Sequence, residues 1–393
     1  MENAGESSYK VLAGLREQFL LSPDVIYLNH GSFGACPRPV FEAYQKWQLK
    51  LEQHPVEFLD LERRLPDRMR QARAQLARYV GADTDDLVYV PNATTGLNIV
   101  ARSLPLQPGD EVLTSDHEYG ALDRTWRLIC QKRRARFVRQ AVPLPVESTD
   151  QIVTAIWSGV TEKTRVLFLS HITSPTAVNF PVAELVQMAN AAGIITVVDG
   201  AHAPGHVDLD LRALAADFYA GNCHKWLMSP KGSAFLYARP DKQSLLEPLV
   251  VSWGWESDDP GPSRFVDEQE WNGTRDVAAY LSVPAAIQFR QDHNWPAVQS
   301  ACHGLLREAR HRVKSLTGLP ALTPDGSSWY GQMATLPMPA CNEKELQRTL
   351  RQQHGIEIPA IRWKGRPYLR ISVQGYNSAD DIDALINALA ALL

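Results

Sequence analysis

Nowhere in this chain of 393 residues do about 18 apolar residues run uninterrupted, and the opening MENAGESSYKVLAG holds no apolar stretch behind a basic start. The first absence speaks against a membrane-spanning helix and the second against a secretory leader, so the cytoplasm is the expected compartment. Cysteine is scarce and scattered: Cys36, Cys130, Cys223, Cys302 and Cys341 are an odd number and form no C-x-x-C pair. That argues against a disulfide framework and a zinc knuckle, and buried, reduced thiols are expected. An excess of one charge is missing too. The formal net charge is −4, and the densest basic run, QKRRARFVRQ, is too short for a nucleic-acid surface and is expected to be a solvated helix end. Internal repeats and low-complexity segments are also absent.

What remains is a globular composition, 45% hydrophobic and 21% charged, long enough for a large core and two domains. Stretches at roughly 40–54 and 58–80 carry helix-spaced apolar residues. From about 87 to 237, short β-rich runs alternate with amphipathic helical segments: LVYV, EVLT, ARFV, RVLFLS, IITVVD, DFYAG and SAFLYA. Such alternation predicts an α/β fold whose central sheet is mostly parallel, with helices on both faces. After the loop VSWGWESDDPGPSRF, a separate helix and strand series from about 292 predicts a smaller α+β domain. The expected organisation is an arm at 1–24 packing with the small domain, a large domain at 25–291 carrying the site, and a small C-terminal domain at 292–393.

Three segments carry chemistry. In IITVVDGAHAPG an apolar run ends in Asp199, at what should be the carboxyl edge of the sheet, where open α/β folds bind ligands. A carboxylate there is costly to desolvate without a cationic partner. Lys225, in GNCHKW, follows another strand-like run, and a lysine among apolar neighbours becomes a nucleophilic amine. An aspartate and an amine at one sheet edge fit pyridoxal phosphate, whose ring nitrogen takes the carboxylate and whose aldehyde takes the lysine. In PNATTGLNIVARSL a strand, a hydroxyl-rich turn and a helix start offer a phosphate cradle in which Thr94 and Thr95 donate hydroxyls. An ordinary helix cap would look the same.

With YLNHGSFG, NATTGLN, SDHEYGALDRTW, LSHITSPTA, VDGAHAPG, GNCHKW, NGTRD and YLRISV in this order, the chain resembles the aminotransferase class V family of fold-type I pyridoxal-phosphate enzymes over nearly its whole length. Within that family it is most similar to the branch of isopenicillin N epimerases and ergothioneine-pathway C–S lyases. The resemblance implies that Lys225 bonds the cofactor aldehyde, that Asp199 pairs with the pyridine nitrogen and that His202 lies beside the phenolic oxygen. It implies that Ala93, Thr94 and Thr95 hold the phosphate with Asn222 and His224. Thr274 would reach the phosphate of a neighbouring subunit, making the enzyme a homodimer with shared sites. His117 or Tyr119 would stack on the ring, Ser174 would contact the cofactor oxygen, and Arg370 would hold the substrate carboxylate, with Asn29 and His30 on the substrate side.

Cysteine desulfurases carry a mobile cysteine ahead of that arginine, whereas HGIEIPAIRWKGRPYLR has none, which argues against a persulfide mechanism. A rival reading is a metal hydrolase built on Asp199, His202, His206 and Asp208; it leaves Lys225 without a role, and the intervening Gly and Pro residues break a helical ligand face. A scaffold protein on the same fold is a third, but it would have no need of Lys225, Asp199 and Arg370 together. The expected activity is α-proton abstraction from an amino acid by Lys225, followed by epimerisation, C–S elimination or transamination.

Overall fold

The computed structural model describes residues 9–60 and 65–393. All seven apolar runs form strands of one sheet: β1 (Leu87–Val90), β2 (Glu111–Ser115), β3 (Arg136–Gln140), β4 (Thr164–Ser170), β5 (Ile195–Gly200), β6 (Phe218–Asn222) and β7 (Ala234–Ala238). Their spatial order is β1-β7-β6-β5-β4-β2-β3, and only β7 runs against its neighbours. The expected mostly parallel sheet is therefore present.

Helices α1 (Arg38–Gln53) and α2 (Leu65–Val80) precede the sheet. Between its strands run α3 (Ala93–Ser103), α4 (Gly120–Arg133), α5 (Thr149–Trp157) and α6 (Val182–Ala191). Successive strand residues point to opposite faces, so each strand feeds two apolar layers. Val88, Val112, Phe168 and Leu236 pack with Leu97 and Trp126 of α3 and α4. Leu87, Leu113, Leu167 and Phe235 pack on the other face with Ile152, Leu185 and Leu76. The edge strand β3 is the exception, with Arg136 and Arg139 exposed. The basic run is thus only partly a helix end. It closes α4 and then continues as β3, where Arg136 pairs with Glu111 and Arg139 with Asp123.

Helix α7 (Val283–Asp292) leads to the long α8 (Trp295–Thr317), a sheet of β8 (Met333–Pro337), β9 (Ala360–Trp363) and β10 (Arg366–Ser372), and helices α9 (Glu343–His354) and α10 (Ala379–Leu392). β10 lies between β8 and β9, antiparallel to both. Ile26 and Tyr27 pair in parallel with Ile356 and Glu357, tying the start of the chain to its last third. Phe19 of the N-terminal arm meets Tyr376 edge-on, ring centroids 4.9 Å apart. Residues 1–8 of the expected arm lie outside the described residues. No described helix is long and apolar enough to cross a membrane.

Candidate active site

Because β1, β2, β4, β5 and β6 run in one direction, their carboxyl ends deliver side chains to one edge. Ser115, Ser170 and Asn222 end their strands there, Asp199 is the last residue but one of β5, and Lys225 follows three residues after β6. Asp199, 4% exposed, accepts one hydrogen bond, from the Ala201 amide at 2.9 Å, and has no cation within ion-pair distance among the described residues. Burial pushes its carboxyl up to about 6. Nearby, the Lys225 amine touches His202 Nε2 at 3.2 Å. Burial, with the charge of Arg370 added, pushes Lys225 down to about 7, so a large share of it is free base at neutral pH. His202 is pushed well below its ordinary value by burial, and Trp226 Nε1 donates to its Nδ1 at 3.3 Å.

The lysine turn is held from below. Gly34, at φ +71°, lies so close that a Cβ would stand 2.0 Å from the His224 carbonyl oxygen, so only glycine fits. The Lys225 carbonyl can only accept, so His30 Nε2 donates to it at 3.0 Å, and Tyr376 donates its hydroxyl to Nδ1 at 3.0 Å. Neither ring nitrogen of His30 is left for a substrate. That differs from the substrate-side position expected for it: the ring is spent on the backbone of the lysine.

At the start of α3, Asn92 Oδ1 takes the Thr95 amide at 2.8 Å and its hydroxyl at 3.1 Å, and Asn222 Oδ1 takes the Ala93 amide at 2.8 Å. Thr94 alone keeps both its amide and its hydroxyl free of protein acceptors among the described residues. His224 donates Nδ1–H to the Ser233 carbonyl at 2.9 Å and keeps Nε2 open. Of the expected phosphate ligands, Thr94 is the one whose amide and hydroxyl are both uncommitted, whereas the Ala93 and Thr95 amides are already taken.

Arg370, 7% exposed on β10, donates to the Ser174 carbonyl at 2.7 Å, to the Ser174 hydroxyl at 3.3 Å and to Ser32 Oγ at 2.8 Å. Its Nε has no partner, and no carboxylate among the described residues pairs with it. A buried guanidinium without a counter-ion calls for an anion from outside. Ser174 is thus engaged with Arg370 rather than left free. Asn29, 6% exposed, also has a buried Oδ1 without a partner.

The two aromatic candidates part company. His117 is fully buried, donates from Nε2 to the Val142 carbonyl at 3.0 Å, accepts the Thr176 hydroxyl at Nδ1 at 2.7 Å, and has the Trp363 ring against it at 4.6 Å. Tyr119 is 46% exposed, with its phenol near the Arg370 guanidinium. Thr274 is exposed on the loop ahead of Val277.

Sequence reasoning passed over Trp226, Ser32 and Glu118. Glu118 is buried, bonds Ser115 Oγ at 2.6 Å and Ser170 Oγ at 2.5 Å, and is pushed up to about 8 by burial and the nearby Asp199. The only available signal was that all three stand inside the quoted motifs. No three His, Cys, Asp or Glu side chains among the described residues are grouped as a metal ion needs. His206 Nε2 is taken by the Gln332 amide, and Asp208 faces solvent.

An unpaired buried carboxylate, an amine that is in large part free base at neutral pH and an open helix start meet at one sheet edge, a set that suits an aldehyde cofactor with a ring nitrogen and an anionic group. The profile of the Aminotransferase class-V family matches residues 26–385, and the chain belongs to that family. It is 36% identical over 388 residues to the isopenicillin N epimerase of Streptomyces clavuligerus, covering 96% of this chain and 97% of that protein. A probable chloroplastic L-cysteine desulfhydrase of Arabidopsis thaliana is 29% identical, covering 94% and 83%. The crystal structure of the Escherichia coli cysteine desulfurase CsdA superposes with a TM-score of 0.80 at 25% identity, covering 97% of this chain and 98% of that one. The protein is a class V enzyme dependent on pyridoxal phosphate, and the donor set described above fits that cofactor.

Proposed function

We propose that this enzyme inverts the α-carbon of an amino acid or amino-acid conjugate, as an isopenicillin N epimerase-like activity. The observation that carries the reading is Arg370, a buried guanidinium with no counter-ion among the described residues, close enough to Lys225 for its charge to lower the amine's proton affinity. Pyridoxal phosphate, when bound, supplies an electron sink that weakens the Cα–H bond of an attached amino acid. Arg370 takes the α-carboxylate through its fork and so orients Cα. Lys225 is the base that removes the α-proton. Asp199 keeps the cofactor's ring nitrogen protonated, Thr94 and Asn222 hold the phosphate, and His224, whose open Nε2 can only accept while its Nδ1–H is spent on Ser233, lies beside it. Ala93 and Thr95 shape the cradle through their capping bonds, and His202 stands against the lysine amine.

Inversion needs a second proton donor. His30 has no free nitrogen, whereas the Tyr119 phenol is exposed and makes no hydrogen bond among the described residues, so Tyr119 takes that role and offers its ring face to the cofactor. Asn29 contributes its unpaired Oδ1 on the substrate side. A C–S β-lyase acting on a cysteine conjugate is the second reading, supported by relatives named as L-cysteine desulfhydrases. We further propose a homodimer in which Thr274 completes the partner's phosphate site, and the division at 24/25 and 291/292, supported by the two separate larger sheets. Five free thiols without a disulfide support the cytoplasm.

Incubation of candidate amino acids in deuterated water tests the reaction. An epimerase returns substrate with α-deuterium and inverted configuration, a lyase releases pyruvate, ammonia and a sulfur fragment, and an aminotransferase leaves the keto acid. Turnover with the α-hydrogen intact in every substrate overturns the role given to Lys225.

A further inference from the structure

Trp226 follows the reacting lysine in sequence, and its ring turns back beneath it. It is wholly buried, held between His206, with centroids 4.1 Å apart and planes within 28°, and His30 at 4.9 Å. Its carbonyl accepts from Arg290 at 3.1 Å. Gly205, at φ +82°, packs directly against the backbone of this segment, since a Cβ there would stand 2.5 Å from the Trp226 carbonyl oxygen. The indole nitrogen, aimed at His202 Nδ1 at 3.3 Å, is a donor that never accepts.

That one-way bond decides where the proton of His202 sits. With Nδ1 accepting, a neutral imidazole carries its hydrogen on Nε2, and Nε2 is the atom 3.2 Å from the Lys225 amine. An Nε2–H can donate only to an amine that has a lone pair. An ammonium at Lys225 would need a bare Nε2, which would put a hydrogen on Nδ1 against the indole N–H. We infer that Trp226 is a positioning residue that fixes the tautomer of His202 and through it keeps Lys225 as a free amine. The inference rests on Lys225 as the reacting amine and adds how it is kept reactive. The other charged or titratable groups facing Lys225 are Asp199 on β5, Arg370 on β10 and the adjoining His224, and His202 additionally faces His206. His206 is locked as well, accepting the Gln332 amide at Nε2 at 2.7 Å and donating Nδ1–H to the His202 carbonyl at 3.2 Å.

The test uses the full chain, labelled with nitrogen-15 in histidine, before cofactor is added. Trp226→Phe removes the N–H, and replacement of Trp226 by 3-benzothienylalanine removes it while keeping the ring size, so the isostere decides if the phenylalanine variant folds poorly. Two quantities are read: the ring-nitrogen resonances of His202, assigned by their loss in His202→Gln, and the pH midpoint of Lys225 acetylation by trace acetic anhydride, followed by peptide mass spectrometry. In the parent chain His202 carries its proton on Nε2 alone. In the isostere the Nδ1–H form appears and the Lys225 midpoint rises by about one pH unit, a roughly tenfold loss of labelling below the midpoint. A proton on Nδ1 in the parent chain, an unchanged tautomer in the isostere or an unmoved midpoint overturns the inference. Neither readout depends on which reaction the loaded enzyme performs, so failure here stays separate from failure of the epimerase reading.

Discussion

Asp199→Asn should stabilise the cofactor-free protein and destabilise the loaded one relative to the parent chain. The carboxyl moves from 3.8 to about 6 on folding because it is buried with a single amide donor. At about 1.4 kcal/mol per pH unit, ionised Asp199 costs the empty fold roughly 3 kcal/mol at neutral pH. An asparagine oxygen keeps the Ala201 bond, but its new NH₂ lacks a partner, which returns about 1 kcal/mol. The expected net gain is therefore about 1–2 kcal/mol. Its pH dependence has a definite sign. Between about 4 and about 6 the folded chain holds a proton that the unfolded chain has released, so the parent loses stability as pH rises through that window. The advantage of the variant is absent below pH 4 and complete by pH 7. Urea unfolding followed by the fluorescence of the ten tryptophans measures it. With excess pyridoxal phosphate the order reverses, because ligand binding stabilises the parent in proportion to an affinity that the variant has lost. A cofactor-free variant no more stable than the parent at pH 7, or an advantage undiminished at pH 4, refutes the reasoning.

Arg370→Lys keeps the charge but loses the fork, and should weaken amino-acid binding by about 1–3 kcal/mol while cofactor content, read by visible absorbance, is unchanged. Lys225→Met should flatten the pH dependence of cofactor-free stability. In the parent, stability climbs from about pH 7 toward 10, where the unfolded chain still holds the proton that folded Lys225 has given up. The same variant should lose the visible band that borohydride bleaches. Tyr119→Phe should abolish inversion while α-hydrogen exchange into the original configuration continues, as chiral analysis in deuterated water would show. If Thr274 reaches a partner's phosphate, removal of cofactor should shift the protein toward monomer in sedimentation, and Thr274→Ala should mimic that shift.

The seven strands were legible because strands buried on both faces have unbroken apolar runs, and the helices between them repeat at helical spacing. Asp199 and Lys225 were legible for a related reason: a charge at the end of such a run stands out. Side-chain direction was not legible. His30 looked like a substrate ligand from its motif, yet its partner is a carbonyl 195 residues away, a distance no local pattern encodes. His117 and Tyr119, two residues apart, differ wholly in exposure because one faces Val142 and Trp363 and the other opens α4. Arg136 and Arg139 resembled a helix end because their charge hid the period of an edge strand. Glu118 gave no signal that it would be buried, since its burial depends on serines from two different strands.

The pairing of residues 26–27 with 356–357, and the delivery of Arg370 from β10, set an order on biosynthesis. A ribosome releases Thr94, Asp199 and Lys225 well before it releases the strand that gives Ile26 its partner or the arginine proposed to take a substrate carboxylate. A nascent chain can therefore hold Lys225 while lacking both the clasp on its own N-terminal segment and the buried guanidinium proposed to choose a substrate. Any truncation ahead of residue 356 leaves that incomplete state permanent, which makes the last third of the chain a licence for chemistry rather than an appendage to it.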